Sequence, residues 1–293
     1  MSASPSAVTE LLAVNQVMEY LSFIKPSMNS HGYFANHKSA ISSVFYKVFY
    51  FQIGEHPAIK SWMRGWSIEK PAKPRHDPDE DGWDIGQIVE YWANQPTNDK
   101  LNLKELTLKA NSLFAVTVYP RPSDSARLAR DQTVFLATAM KYRFYGTKEL
   151  KSVPKFTKVQ AVLASTCEKI DLVKTMFDYR NRTNGPNFHH RDLEHNYDHM
   201  FMSMVPGRDG KHFPVSASTC SRWMYWVMKR VSIDPKYKGG SVRMAAASAA
   251  IDRGTPIEVV LSTGRWTSWR VFQLFYNRSR LRDIPAVGRT EAI

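Results

Sequence analysis

The stretch GGSVRMAAASAAIDRGTPIEVVLSTGRWTSWRVFQLFYNRS, residues 239–279, decides how this chain is read. Arg243 is followed by a run of small residues, Ala245 to Ala250, which predicts a closely packed helix with Arg243 in its first turn. Backbone amides and a guanidinium can converge there on one phosphate. Thr255-Pro256-Ile257-Glu258 sets a capping Thr, a first-turn Pro and a Glu three residues after the cap, so a second helix is predicted to start at this point. A short third helix carries Val271, Phe272 and Phe275 and delivers Tyr276, thirty-three residues after Arg243 and ten after Trp266.

Upstream, apolar residues Leu11, Val14, Met18 and Leu21 recur at helical spacing from Val8 to Pro26. Further helical runs cover about Ala35 to Phe51 and a segment from His56 with Ile59, Trp62, Met63 and Trp66. The exposed face of this small helical unit is expected to hold Lys38, Lys47, Lys60 and Arg64. Residues 67–82, SIEKPAKPRHDPDEDG, combine three prolines with a basic and then an acidic half and read as a linker. Beyond it, Ile85, Ile88, Val89 and Trp92 share one helical face, and Leu101 to Val118 forms another helix ending at Tyr119-Pro120-Arg121-Pro122. Val134 to Tyr145 and Val153 to Leu163, rich in β-branched and aromatic residues around Gly146, predict a hairpin. Ser218 to Val231 is a further helix.

The expected fold class is therefore mainly α with a small antiparallel sheet, α+β. A helical unit spans 1–75 and a larger domain spans 83–293, joined by the linker at about 67–82. The chain has 293 residues, 43% of them apolar, with 40 Lys and Arg against 27 Asp and Glu and a net charge of +13. This composition excludes disordered, collagenous and solenoid classes, and no apolar run reaches the roughly 20 residues of a membrane span. The basic residues are spread along the chain, which makes a polyanion, nucleic acid first of all, the expected partner, and no membrane. The opening MSASPSAVTELL has neither the basic start nor the apolar run of a secretion signal, and Cys167 and Cys220 lie far apart, so a reducing intracellular compartment is expected.

The ordered set formed by Arg243, Trp266 and Tyr276 resembles the C-terminal half of the tyrosine recombinase (phage integrase) superfamily, with its H-x-x-R box, G-H or G-W element and nucleophilic tyrosine. HPAIKSWMRGW, KPAKPR, Leu101 to Ala115 and VYPRPSDSARL extend the resemblance, within that superfamily, to the recombinases of eukaryotic DIRS, Ngaro and Crypton elements. It covers about Val8 to Arg280.

The resemblance implies a C-shaped clamp, with a helical core-binding domain and a catalytic domain on opposite sides of double-stranded DNA. Arg121 takes the place of the first catalytic arginine, Asp124 that of the acidic residue three positions on, Arg243 the second arginine, Trp266 the G-W element and Tyr276 the nucleophile. The hairpin lysine that protonates the leaving oxygen is Lys148 or Lys151, with Lys148 the first choice and Lys151 otherwise a DNA contact. Gly240 stands where the family usually has histidine, and glycine brings no side chain that can move a proton.

Metal-free phosphodiester exchange needs a nucleophile, cations on the non-bridging oxygens and an acid for the departing 5′ oxygen. No metal and no cofactor is expected. The implied assembly is a homotetramer on two DNA sites, acting in mobile-element integration, in the nucleus of a eukaryotic host or otherwise in the cytoplasm. A catalytically decayed DNA-binding protein of the same fold and a type IB topoisomerase-like enzyme are the alternatives.

Other features have plainer readings. His189, His190, His195 and His199 cluster without cysteines or a zinc-protease pattern, which fits a polar loop better than a metal site. Trp223 and Trp226 fit a helix wedged into the core, with Arg222 on another face free to reach a phosphate.

Overall fold

The computed structural model describes residues 7–27, 31–69, 82–147 and 155–277. The chain divides into two compact units, Met1–Asp77 and Pro78–Ile293.

In the first unit the described helices are α1 (Ala7–Ile24), α2 (His31–Phe49) and α3 (Pro57–Glu69). They are held by a core of Val14, Val17, Leu21, Ile24, Phe34, Ile53, Ile59 and Trp66. Phe34 is its keystone, with the rings of Trp62 and Trp66 each stacked 5.0 Å from it. The buried stripe of α1 is shifted from the expected one: Val17 and Ile24 face inward, whereas Leu11 is 59% exposed. Helix α3 runs on to Glu69, whose carboxylate pairs with Lys25 at 2.6 Å, so Ser67–Glu69 are helix and not linker. Residues 70–81 of the expected linker lie outside the described residues.

The second unit contains α4 (Gly86–Ala93), α5 (Leu103–Val118), α6 (Pro122–Ala126), β1 (Val134–Phe135), β2 (Ala139–Tyr142), β3 (Gln160–Leu163), α7 (Leu172–Arg182), β4 (Arg191–Asp192), β5 (Tyr197–Asp198), α8 (Ala217–Arg230), α9 (Val242–Asp252), α10 (Ile257–Gly264) and α11 (Trp269–Phe275). The fold is mostly helical with small antiparallel sheets, an α+β arrangement.

Helix α5 is its axis. Asn102 caps it by accepting from the Glu105 amide at 2.9 Å, and from Leu106 to Phe114 every residue is buried. Burial of its polar side chains is tolerated because each finds a partner. Ser112 accepts from the Trp92 indole at 2.7 Å, Lys109 donates to Asn98 at 2.7 Å and Asn111 donates to the Cys220 carbonyl at 3.2 Å. Helices α7, α8 and α9 pack around it. In α8, Trp223, Met224, Val227 and Met228 face inward, while Trp226 lies at the surface, 39% exposed.

The expected hairpin is a three-stranded antiparallel sheet in the order β1-β2-β3, because Val134 to Tyr142 folds back on itself before reaching the hairpin proper. Strands β2 and β3 pair with Met140 opposite Val162, and a bridge between Tyr145 and Phe156 prolongs them. Gly146 turns the chain at φ +53°, and its amide donates to the Lys155 carbonyl at 3.0 Å. Lys148 and Lys151 lie outside the described residues, in the segment between these arms. The start of α10 also differs from expectation. Pro256 occupies the capping position and the Thr255 side chain makes no cap, since the chain enters the helix one residue later than the Thr-Pro pattern implies.

Two adjacent glycines before α9 have different roles. A side chain at Gly239 would collide with the Ser221 backbone carbonyl of α8, whereas Gly240 has open space around it. Gly239→Ala is therefore expected to destabilise the protein by about 1–3 kcal/mol through overpacking, and Gly240→Ala to stay within about 0.5 kcal/mol of wild type, as read from urea unfolding.

Candidate active site

The site is built where α5, α9 and α10 end or begin. Helix α5 stops at Tyr119, which takes the left-handed conformation at φ +53°, and the chain then passes through Pro120 into the turn that carries Arg121. Helix α10 stops at Arg265, also left-handed at φ +55°. Neither residue is glycine, so each turn carries backbone strain of order 1–2 kcal/mol.

Both turns aim a carbonyl at one side chain. The buried Arg243 guanidinium, in the first turn of α9, donates from one terminal nitrogen to the Tyr119 carbonyl and from the other to the Gly264 carbonyl, the latter at 2.6 Å. Its Nε finds no acceptor among the described residues. The guanidinium lies 3.9 Å from the centroid of the Trp266 ring and 5.5 Å from that of Tyr276. Burial pushes the Arg243 pKa down, and the positive charge of Arg121 acts in the same direction. An arginine starts so high that it stays cationic at physiological pH.

Trp266 is fixed from several sides. Its ring meets Phe272 at 4.6 Å and Tyr276 at 5.1 Å, both edge-on, and its buried indole N–H has no partner among the described residues. Gly264 must be glycine here, because a side chain would run into the Trp266 ring. Tyr276 ends α11. Its amide donates to Phe272 at 2.8 Å, and its carbonyl accepts from Ser248 of α9 at 3.1 Å, which ties the tyrosine to the helix that begins with Arg243.

Arg121 caps α6, a short helix with Pro122 in its first turn. The Asp124 carboxylate accepts from the Arg121 amide at 3.0 Å and lies 3.7 Å from its guanidinium. The same carboxylate oxygen accepts from Arg265, whose guanidinium also donates to Gln160 of β3 at 3.2 Å and stacks on the Phe144 ring at 4.1 Å. Arg265 was not singled out in the sequence, although it sits immediately before Trp266. Phe144 and Gln160 had no local signal, and Tyr119 showed only as the end of a helix.

Arg121, Asp124, Arg243, Trp266 and Tyr276 thus come together from positions spread over 155 residues. Gly240 is exposed in the 3-10 turn Gly239–Ser241 that precedes α9. Arg222 is exposed on α8, its guanidinium 3.4 Å from the Thr219 hydroxyl. In the first unit Lys47 and Arg64 are exposed, while Lys38 and Lys60 converge on Glu55 at 4.0 and 2.7 Å, which offsets part of their charge. The histidines are internal ties: His190 bonds the Thr183 and His199 carbonyls at 2.8 and 3.0 Å, and Asp192 accepts from His195 at 3.1 Å.

This fold is that of the tyrosine recombinases and integrases. The chain matches the Tn1549 transposon integrase in complex with transposon right end DNA over 90% of its own length and 80% of that chain, at a TM-score of 0.52 and 9% identity. It matches the same integrase in complex with a circular intermediate DNA at a TM-score of 0.52 and 10% identity, over 90% and 80%. The XerH site-specific recombinase bound to palindromic difH substrate, in a post-cleavage complex, is matched over 91% of this chain and 68% of that one, at a TM-score of 0.51 and 11% identity. No family model and no curated protein matches the sequence. Among the described residues no helix is long and apolar enough to cross a membrane.

Because Arg243 satisfies two buried carbonyls, its truncation carries a structural cost. Arg243→Ala is expected to lower the unfolding free energy by about 1–3 kcal/mol, and Arg121→Ala by less than about 1 kcal/mol, in matched denaturant titrations. Equal effects would mean that the Tyr119 and Gly264 carbonyls do not depend on this guanidinium.

Proposed function

We propose that this protein is a site-specific recombinase that cuts and rejoins double-stranded DNA through a 3′-phosphotyrosyl intermediate at Tyr276. The observation that carries this reading is a phenol held beside a buried guanidinium, with two buried donors, Arg243 Nε and Trp266 Nε1, left without acceptors among the described residues. Buried donors are rarely left unmade, and a phosphodiester supplies the missing acceptors.

In the proposed reaction the Tyr276 oxygen attacks phosphorus as the bond to the 5′ oxygen breaks. The phenol releases its proton to solvent water, and the leaving oxygen gains one from Lys148 or Lys151, whose ammonium becomes the neutral amine. Arg121 and Arg243 neutralise the non-bridging oxygens. Arg243 does so through one atom: its two terminal nitrogens hold backbone carbonyls, which leaves Nε for the phosphate. One ester replaces another, so the bond energy is kept for religation. Guanidiniums supply the charge neutralisation, and the proposed chemistry needs neither metal nor nucleotide.

The net charge of +13 supports a DNA partner, as do neighbours of the same fold that were solved as DNA complexes. Lys47, Arg64 and Arg222 are exposed and suited to backbone phosphates. The finer reading is integration of a mobile element of the DIRS, Ngaro or Crypton kind, by four protomers on two duplexes, in a eukaryotic nucleus.

A second reading has one observation in its favour. Gly240 is exposed, at ordinary backbone angles and with room for a side chain, so the fold does not require glycine there. That fits a DNA-binding protein that lost turnover when histidine was replaced.

Covalent trapping separates the two. Purified protein in EDTA, incubated with a library of nicked duplexes that shed a short fragment on cleavage, is expected to give a nuclease-sensitive band shift after denaturation. Tyr276→Phe should abolish the shift and leave DNA binding within about threefold of wild type. An adduct that persists in Tyr276→Phe would move the nucleophile elsewhere. If wild type binds DNA without forming an adduct and Gly240→His restores one by about 10²-fold or more, the decayed reading is correct.

A further inference from the structure

We infer that Arg265 is a positioning residue of this site, one that fixes the Arg121 turn through Asp124 and ties it to the hairpin strand β3; the inference rests on the recombinase reading for its role in catalysis. Arginine at φ +55° occupies a conformation that glycine or asparagine takes at lower cost, so the side chain must return something for the strain.

Its contacts show what that is. One terminal nitrogen donates to the Asp124 carboxylate and the other to Gln160 at 3.2 Å, while the flat face of the group packs on Phe144. Gln160 in turn donates to the Ser262 and Thr263 carbonyls at 3.4 and 3.3 Å, at the end of α10.

Asp124 is 1% exposed. A carboxylate so buried needs a compensating cation, and Arg265 lies closer to it than the Arg121 guanidinium at 3.7 Å. With Arg265 in place, Asp124 is held where it accepts from the Arg121 amide at 3.0 Å and stands 3.7 Å from the Arg121 guanidinium. Arg265 thus fixes the turn that carries Arg121 by compensating the acid that closes it. A lysine could supply the charge but not the fork that reaches Asp124 and Gln160 together.

Two readouts test this, and the first needs no turnover. In protein labelled with ¹⁵N-arginine, the Arg121 side-chain signal, assigned by its loss in Arg121→Lys, is expected to move in Arg265→Gly and to move likewise in Asp124→Asn. Arg265→Lys should restore it only in part. An Arg121 signal unchanged in Arg265→Gly overturns the proposal. Should Arg265→Gly fail to fold, Asp124→Asn and Arg265→Lys make the same comparison.

The second readout is the rate of adduct formation on the trapping duplex. Arg265→Gly is expected to slow it by about 10²-fold while DNA affinity stays within about threefold. In an Asp124→Asn background the same substitution should cost little more, because both act through one contact. Multiplied losses would make Arg265 a direct phosphate ligand and overturn the positioning role. If wild type forms no adduct, the recombinase reading fails, and the arginine spectra still decide whether Arg265 holds the Arg121 turn.

Discussion

One guanidinium organises the second unit. Arg243 starts α9 and its two terminal nitrogens close on the last carbonyls of two other helices, at Tyr119 and Gly264. Helix ends carry carbonyls that have no partner within the helix, and a buried cation is a strong one to offer them. The cost of burying the charge is offset by those two bonds and by the Trp266 ring 3.9 Å away. Both helices finish in left-handed turns, at Tyr119 and Arg265, and the fixed fork of the arginine reaches the Tyr119 and Gly264 carbonyls together.

The consequence is a rigid frame in which the side chains with chemical potential are by-products of structural contacts. Trp266 lies where it does because Gly264 leaves room for its ring and Arg243 lies over it. Tyr276 is tied by its own carbonyl to Ser248, one helix face along from Arg243. A shift of α9 relative to α5 would therefore move the guanidinium, the indole and the phenol together. Under the proposed reading, such coupling keeps the phenol and the cations at a fixed spacing through cleavage and religation.

Much of this was legible in the sequence, and the reasons are local. The shared face of Ile85, Ile88, Val89 and Trp92, the small-residue run after Arg243 and the aromatic spacing in Ser218 to Val231 each mark a helix by short-range pattern. The order Arg121, Arg243, Trp266, Tyr276 stood out through the family resemblance, which sets residue types at fixed places along a chain, and its catalytic role belongs to the proposed reading. What could not be read depends on long-range contact. Arg265 meets Asp124 across 141 residues and Gln160 across 105, and nothing in Gly-Arg-Trp announces either partner. The phase of α1 was misjudged at Leu11 because apolar residues there occupy more than one face, and only packing against Phe34 selects which is buried. Thr255 looked like a cap, yet the helix starts after Pro256, since a tertiary fit sets the first turn more firmly than a two-residue signal.

The charge distribution follows the same logic to its end. Arg121, Arg243 and Arg265 surround the single carboxylate of Asp124, so these four side chains together are positive by two. A protein interior does not gather like charges for stability, because each cation raises the cost of the next; burial lowers the Arg243 pKa first, and the charges of Arg121 and Arg265 act in the same direction. The carboxylate relieves part of it, but it does so from behind, fixing Arg121 through its backbone and Arg265 through its fork. What remains is a positive field concentrated beside a phenol and three N–H donors, of Arg243, Arg265 and Trp266, that have no acceptor among the described residues. Stability alone would have filled that place with apolar residues. On the proposed reading this is the resting half of an interaction whose other half is the anionic phosphodiester, with the Tyr276 phenol at its edge.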